Sequence, residues 1–166
     1  MGKRIIQQRR GRGGHTYKTR EKAGKIRVGY LFDLAGEFKC VSLTSSVGHS
    51  VPIAKFMNKE GISFSNFAVD LLYVGQTIKI GGNNFGDIAK IGDLKNGSEI
   101  FNIEHNPGDG GKFVRSGGNA GVVMAKEGDV VKVMMPSKRI KKFKVNARVT
   151  VGRAAGDGRV SKPILK

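Results

Sequence analysis

The chain has 166 residues, 30 Lys and Arg against 13 Asp and Glu, a formal net charge of +17 and a pI near 10.3. That size suits one ordinary domain or two small barrels and excludes a large multidomain enzyme, while the charge asks for a polyanionic partner. The basic N-terminus lacks a following signal-peptide core, no apolar run approaches membrane-spanning length, and the single Cys40 cannot form an internal disulfide; the expectation is a reducing cytoplasm and no membrane partner.

Residues 1–25 hold nine basic residues and one acid, with too few apolar positions to bury a face. They predict a basic arm that is disordered until it meets its partner, with Tyr17 available for stacking. Short apolar stretches follow at 26–34, 38–44, 51–57, 64–74 and 76–80, several of them alternating, as in Phe38 and Cys40 against Lys39 and Val41. That pattern predicts strands, with turns at Ala35-Gly36, Gly48-His49-Ser50, 58–61 and 81–84. A second group at 99–104, 120–126, 130–135, 140–144 and 147–151 is separated by glycine-rich loops at 106–111 and 116–121. No window of twelve or more residues carries a helical stripe, and 25 Gly with no Trp favour turns over helix. Two successive antiparallel barrels of about five strands each, meeting between 83 and 97, are the simplest architecture.

Charge is unevenly spread. Residues 26–100 carry seven bases and seven acids and residues 101–131 three bases and four acids, whereas residues 132–166 carry eleven bases and one acid. A near-neutral body with two cationic ends suits a folded module that grips phosphates at particular faces.

The glycine-rich stretch from Asn106 through Gly110-Gly111-Lys112-Phe113-Val114-Arg115 to Ala120 invites comparison with nucleotide-binding loops. A nucleotide-hydrolase loop is excluded, because Asn106 stands five before Gly111 where Gly is required and Phe113 stands where Ser or Thr would hold magnesium. The dinucleotide pattern fails at Phe113 as well. What remains is contact with nucleic-acid backbone, in which glycine amides approach phosphate and Lys112 and Arg115 supply charge, or two plain hairpin turns. The run Lys138-Arg139-Ile140-Lys141-Lys142-Phe143-Lys144 places cations on both faces of a strand, which fits phosphate contact better than a solvated hairpin. His15, His49 and His105 fall at no ligand spacing with one another or with Cys40, which reads as a core thiol, and no paired carboxylates occur in a tuned setting. An RNA-modifying enzyme therefore lacks its chemistry. A general single-stranded nucleic-acid barrel of cold-shock type is the alternative, but it needs exposed aromatic platforms and aromatics are 7% of residues here.

Three blocks carry a family likeness: Gly2-Lys3-Arg4-Ile5 with Gln8-Arg9-Arg10-Gly11-Arg12-Gly13; Pro107-Gly108-Asp109-Gly110-Gly111-Lys112-Phe113-Val114-Arg115-Ser116-Gly117; and residues 148–166, with Val151-Gly152-Arg153 and Lys162-Pro163-Ile164. With Gly48-His49-Ser50-Val51-Pro52 they make the chain resemble the universal large-subunit ribosomal protein number two family in its archaeal and eukaryotic form. The resemblance implies an all-β protein, an OB-type barrel over 26–90 followed by an SH3-like barrel with a basic C-terminal tail over 91–166, behind the basic arm 1–25. It implies a structural, non-catalytic role: binding large-subunit ribosomal RNA beside neighbouring ribosomal proteins, as a monomer within the cytoplasmic ribosome, in subunit assembly, subunit association and support of the peptidyl-transferase region. No cofactor is expected beyond RNA-bound magnesium. The expected RNA contacts are Lys3, Arg4, Arg9, Arg10, Arg12, His15 and Lys18 in the arm, Gly110, Gly111, Lys112 and Arg115 in the loop, and Lys138, Arg139, Arg148, Arg153, Arg159 and Lys162 beyond it. The family ordinarily continues past the position of Lys166 into a Gly- and His-rich extension, whose contribution is assigned to no residue of this sequence.

Overall fold

A computed structural model describes residues 2, 5, 7, 11–15, 17, 26–31 and 35–158. Most of the arm and residues 159–166 of the basic tail lie outside these residues, and with them the expectation of a disordered arm. Within 35–158 there is no α-helix. Ten strands occur among the described residues: β1 (Gly36–Thr44), β2 (Ile53–Met57), β3 (Ser63–Phe67), β4 (Thr77–Ile80), β5 (Ile88–Lys90), β6 (Glu99–Phe101), β7 (Gly121–Glu127), β8 (Val130–Met134), β9 (Ile140–Lys144) and β10 (Arg148–Val151). The protein is all-β, as the alternating apolar pattern requires.

The first strands form a meander whose faces follow the sequence. Phe38 and Cys40 of β1 are buried while Lys39 is exposed, and Ile53, Ala54 and Phe56 of β2 are buried while Lys55 is exposed. A bulge between Cys40 and Ser42 shifts the register against β2, yet the alternation persists past it, with Val41 and Leu43 exposed and Ser42 half-buried. The β2–β3 turn is held by Asn58, whose Oδ1 accepts the amides of Glu60 at 3.0 Å and Ile62 at 2.9 Å.

Three sequence expectations are corrected. Residues 64–74 are not one strand: β3 ends at Phe67, Val69 makes an isolated bridge to Ala154, and Leu71 turns the chain at φ 60. The continuous apolar run reflects burial on both sides of a bend, since Phe67, Ala68 and Val69 are all buried. Residues 26–31 of the expected strand at 26–34 join no ladder; they make one backbone bond to the free edge of β3, from the Gly29 amide to the Ser65 carbonyl at 3.1 Å. Strand β5 was missed because its three residues are too short to show alternation, and it forms through pairing with β10.

That pairing also changes the picture of two consecutive antiparallel barrels. The strand order is β3-β2-β1-β4-β5-β10-β6-β7-β8-β9, so the last strand returns between β5 and β6 and one ladder runs through both halves. The β4–β5 contact is parallel, through Ile80 and Ile88. One apolar cluster lies under β1–β4 around Phe38, Phe56, Phe64 and Ile78, and another under β6–β10 around Ile100, Ile103, Val133 and Phe143. A third joins them, built from Val51, Phe67, Val69, Phe101 and Ala154. A polar network crosses the same seam: the Tyr30 hydroxyl donates to the Asn102 carbonyl at 2.8 Å and lies 2.7 Å from Thr150 Oγ1, while Asn66 donates to Thr150 Oγ1 and accepts from Asn102 Nδ2. Such buried polar groups need partners, and here residues distant in sequence supply them.

Candidate nucleic-acid interface

The glycine-rich loop lies against the leading segment 26–31, and glycine at 29 permits the approach: a Cβ there would stand 2.9 Å from the Gly110 carbonyl oxygen. Gly111, at φ +94, packs where a Cβ would meet the Asn102 side chain at 2.3 Å. Between residues 27–31, the edge of β3 at Ser63 and Ser65, and loop residues 108–112 opens a cleft of about 640 Å³. Arg27, Lys112 and Arg115 stand among its walls together with one acid, Asp109.

That acid is committed to the loop. Its Oδ2 accepts the amides of His105 and Asn106, and its Oδ1 accepts the Gly111 amide. The Gly110 amide goes to Oε1 of Glu104 at 3.1 Å. The amides of Gly110 and Gly111, expected at a phosphate, here donate to the carboxylates of Glu104 and Asp109, because a loop dense in backbone N–H groups must satisfy them without a ligand. The glycines serve close packing, and side chains supply the cleft's charge.

Lys112 is exposed and has no acidic partner among the described residues. Arg115 is half-buried, with its guanidinium carbon 4.8 Å above the Phe67 ring and Nη1 donating to the Gly111 carbonyl at 3.2 Å. Burial pushes its pKa below the ordinary value, but a guanidinium remains charged at neutral pH. Arg115 also borders a second depression of about 310 Å³ with Gly48, His49, Ser50 and Phe67. The His49 ring lies 5.4 Å from Phe67, and its Nδ1 is buried without a hydrogen-bond partner among the described residues. Arg115 thus forms a wall common to two polar hollows at the seam, and a planar guanidinium held over a ring suits phosphate or base contact.

The other expected contacts are dispersed. Lys3, Arg4, Arg9, Arg10, Lys18, Arg159 and Lys162 lie outside the described residues. Arg12 and His15 are exposed in a turn. Lys138 and Arg139 are exposed in the β8–β9 hairpin and line neither hollow. Arg148 and Arg153 carry acidic partners: Arg148 is paired with buried Glu104 and donates to the Leu31 carbonyl, while Arg153 binds Glu99 at 2.9 Å and Asp157 at 3.4 Å. The Glu99 bond raises the Arg153 pKa. Sequence reasoning counted these charges without seeing that acids distant in sequence neutralise them. It also overlooked Arg27 and His49 as wall residues, whose signals were a charge between two apolar residues and a Gly-His-Ser turn.

Cys40 is buried in β1, and burial raises its thiol pKa, consistent with a core thiol. Among the described residues no three His, Cys, Asp or Glu side chains form a metal-holding group, and no described helix is long and apolar enough to cross a membrane.

Comparison with known proteins decides the family. The pattern described as Ribosomal Proteins L2, C-terminal domain, matches residues 84–166. Large ribosomal subunit protein uL2 of Pyrobaculum aerophilum is 39% identical over 173 residues, covering 100% of this chain and 70% of the relative. The protein of the same name from Pyrobaculum neutrophilum is 40% identical over the same coverage. That of Saccharolobus islandicus is 38% identical over 172 residues, covering 100% of this chain and 71% of the relative.

The chain belongs to the uL2 family. The matched uL2 segment 84–166 begins just before β5, so it takes in the glycine loop and Arg115 but none of residues 26–31, which form the opposite wall of the cleft. Both walls fall within the end-to-end match to the uL2 relatives.

Proposed function

We propose that the chain is a structural constituent of the large ribosomal subunit, binding large-subunit ribosomal RNA through the cationic seam around Lys112 and Arg115 and through its basic arm and tail. The observation that carries this reading is the end-to-end match to relatives named large ribosomal subunit protein uL2. The geometry supports it physically, because three cations line an open polar cleft whose acid is internally bonded. Cations on a rigid barrel surface neutralise adjacent phosphates and let RNA helices approach that would otherwise repel, and the released counterions drive affinity. Shape, more than base sequence, then sets specificity.

On this reading the chain catalyses nothing. It acts as one copy per subunit in the cytoplasm, beside neighbouring ribosomal proteins, supporting subunit assembly, subunit association and the peptidyl-transferase region, and any magnesium enters with the RNA. Binding of the full chain to large-subunit RNA across a potassium chloride series tests it. The logarithm of the binding constant should fall linearly and steeply with the logarithm of salt, and the chain should sediment with the large subunit. A flat response, or a chain that stays at the top of the gradient, overturns the proposal.

A further inference from the structure

The hairpin β8–β9 and strand β7 present an outward face that lines neither hollow of the cationic seam. In β8, Val131 and Val133 point into the core, so Val130, Lys132 and Met134 point out. The cross-strand register places Val122, Met134 and Ile140 in one row and Lys132 beside Lys142 in the next, with Val130 beside Lys144 beyond it. Ile140 is 61% exposed, and Met124, in the β7 bulge, is 45% exposed. Glu127 is the acid on this face, and it is already paired with Lys132.

We propose that this face docks an acidic segment of a neighbouring protein in the large subunit, its aliphatic side chains covering the Val122–Met134–Ile140 row and its carboxylates meeting Lys142 and Lys144. The inference rests on the ribosomal reading above. An RNA occupant fits less well. The outward side chains include no aromatic ring for a base to stack on, since Phe143 is buried with its ring 5.5 Å from that of Phe113. An aliphatic row gains nothing from phosphate, whereas Met and aliphatic residues ringed by charge are what protein interfaces present. The cationic rows supply the complementary charge for carboxylates and would repel another basic surface.

Methionine oxidation and zero-length cross-linking test this on the full chain, free and within purified large subunits. Dilute peroxide should oxidise Met124 and Met134 in the free chain, and about tenfold more slowly in the subunit, since susceptibility follows exposure. A carbodiimide, which joins an amine directly to a carboxylate, should link Lys142 or Lys144 to Asp or Glu of another protein. Ile140→Asp, at an exposed position, should lose that link several-fold while the chain still enters the subunit, and Lys142→Glu with Lys144→Glu should lose it without any apolar change. Oxidation unchanged between the two states overturns the proposal, as does protection accompanied by ultraviolet cross-links from this face to RNA. A chain absent from the subunit overturns the ribosomal reading together with this one.

Discussion

The guanidinium of Arg148 and the carboxylate of Glu104 meet at 2.9 Å, and the same carboxylate also accepts the backbone amides of Arg148 and of Gly110. Glu104 is wholly buried, and Arg148 continues past it to the Leu31 carbonyl at 2.6 Å. One acid therefore ties the last strand, the glycine loop and the leading segment into a single corner. Removing one partner strands a charge out of water, so Glu104→Gln or Arg148→Ala should each cost about 3–5 kcal/mol. Denaturant unfolding measures this. Replacing both partners by apolar residues should cost less than the two single changes summed, although the two amides still lose their acceptor. A loss below about 1 kcal/mol in the single variants would place the corner's stability elsewhere.

Lys112 and Arg115 should separate cleanly by experiment. Lys112→Ala removes an exposed cation that has no acidic partner among the described residues, so stability should stay within about 0.5 kcal/mol. Its salt slope for large-subunit RNA should fall by about 1. Arg115→Ala also abandons Phe67 and the Gly111 carbonyl, so RNA affinity and melting temperature should both drop. An unchanged slope for Lys112→Ala removes that residue from the interface.

Gly111→Ala and Gly97→Ala form a matched pair. Both glycines have positive φ, +94 and +86, but a Cβ at 111 strikes Asn102 while a Cβ at 97 meets nothing within 4 Å. Gly97→Ala should show conformational strain alone, about 1–3 kcal/mol. Gly111→Ala should exceed it, because the Asn102 side chain is enclosed and bonded to Asn66. Equal melting temperatures for the two variants would mean that the loop yields freely.

Stability should decline in alkali. Burial raises the Tyr30 phenol above its ordinary value of 10.0 and the Cys40 thiol above 9.0, so the unfolded chain releases both protons at lower pH than the folded one. The stability these groups contribute is intact below about pH 9 and is lost progressively as pH rises through and beyond their unfolded values. Tyr30→Phe should flatten the decline above pH 10, at a neutral-pH loss of roughly 1–3 kcal/mol for the bonds to Asn102 and Thr150. Urea midpoints across pH 7–11 check both effects, and a wild-type midpoint independent of pH would contradict them.

Much of this molecule is readable from local pattern. Alternation placed β1, β2, β4 and β6–β10 close to their observed bounds, because a half-buried strand writes its two faces into every second residue. Turn chemistry at Asn58 and the glycines marked where the strands end, and the charge excess at both termini pointed to a polyanion. The glycine loop, with Lys112 and Arg115, also stood out as the expected place for contact, and the fold sets both residues on one cleft.

What the sequence could not show was long-range pairing. Strand β5 exists through β10, the buried phenol of Tyr30 is satisfied by Asn102 and Thr150, and the amide of Gly110 is taken by buried Glu104, which Arg148 also holds. The same blindness made Arg148 and Arg153 look available when Glu104 and Glu99 had already claimed them. Composition and alternation are local, so the sequence by itself determined an all-β, strongly cationic protein. Which charges face solvent, and which are held by acids some fifty residues away, was decided only when the chain closed its ladder and brought those groups together.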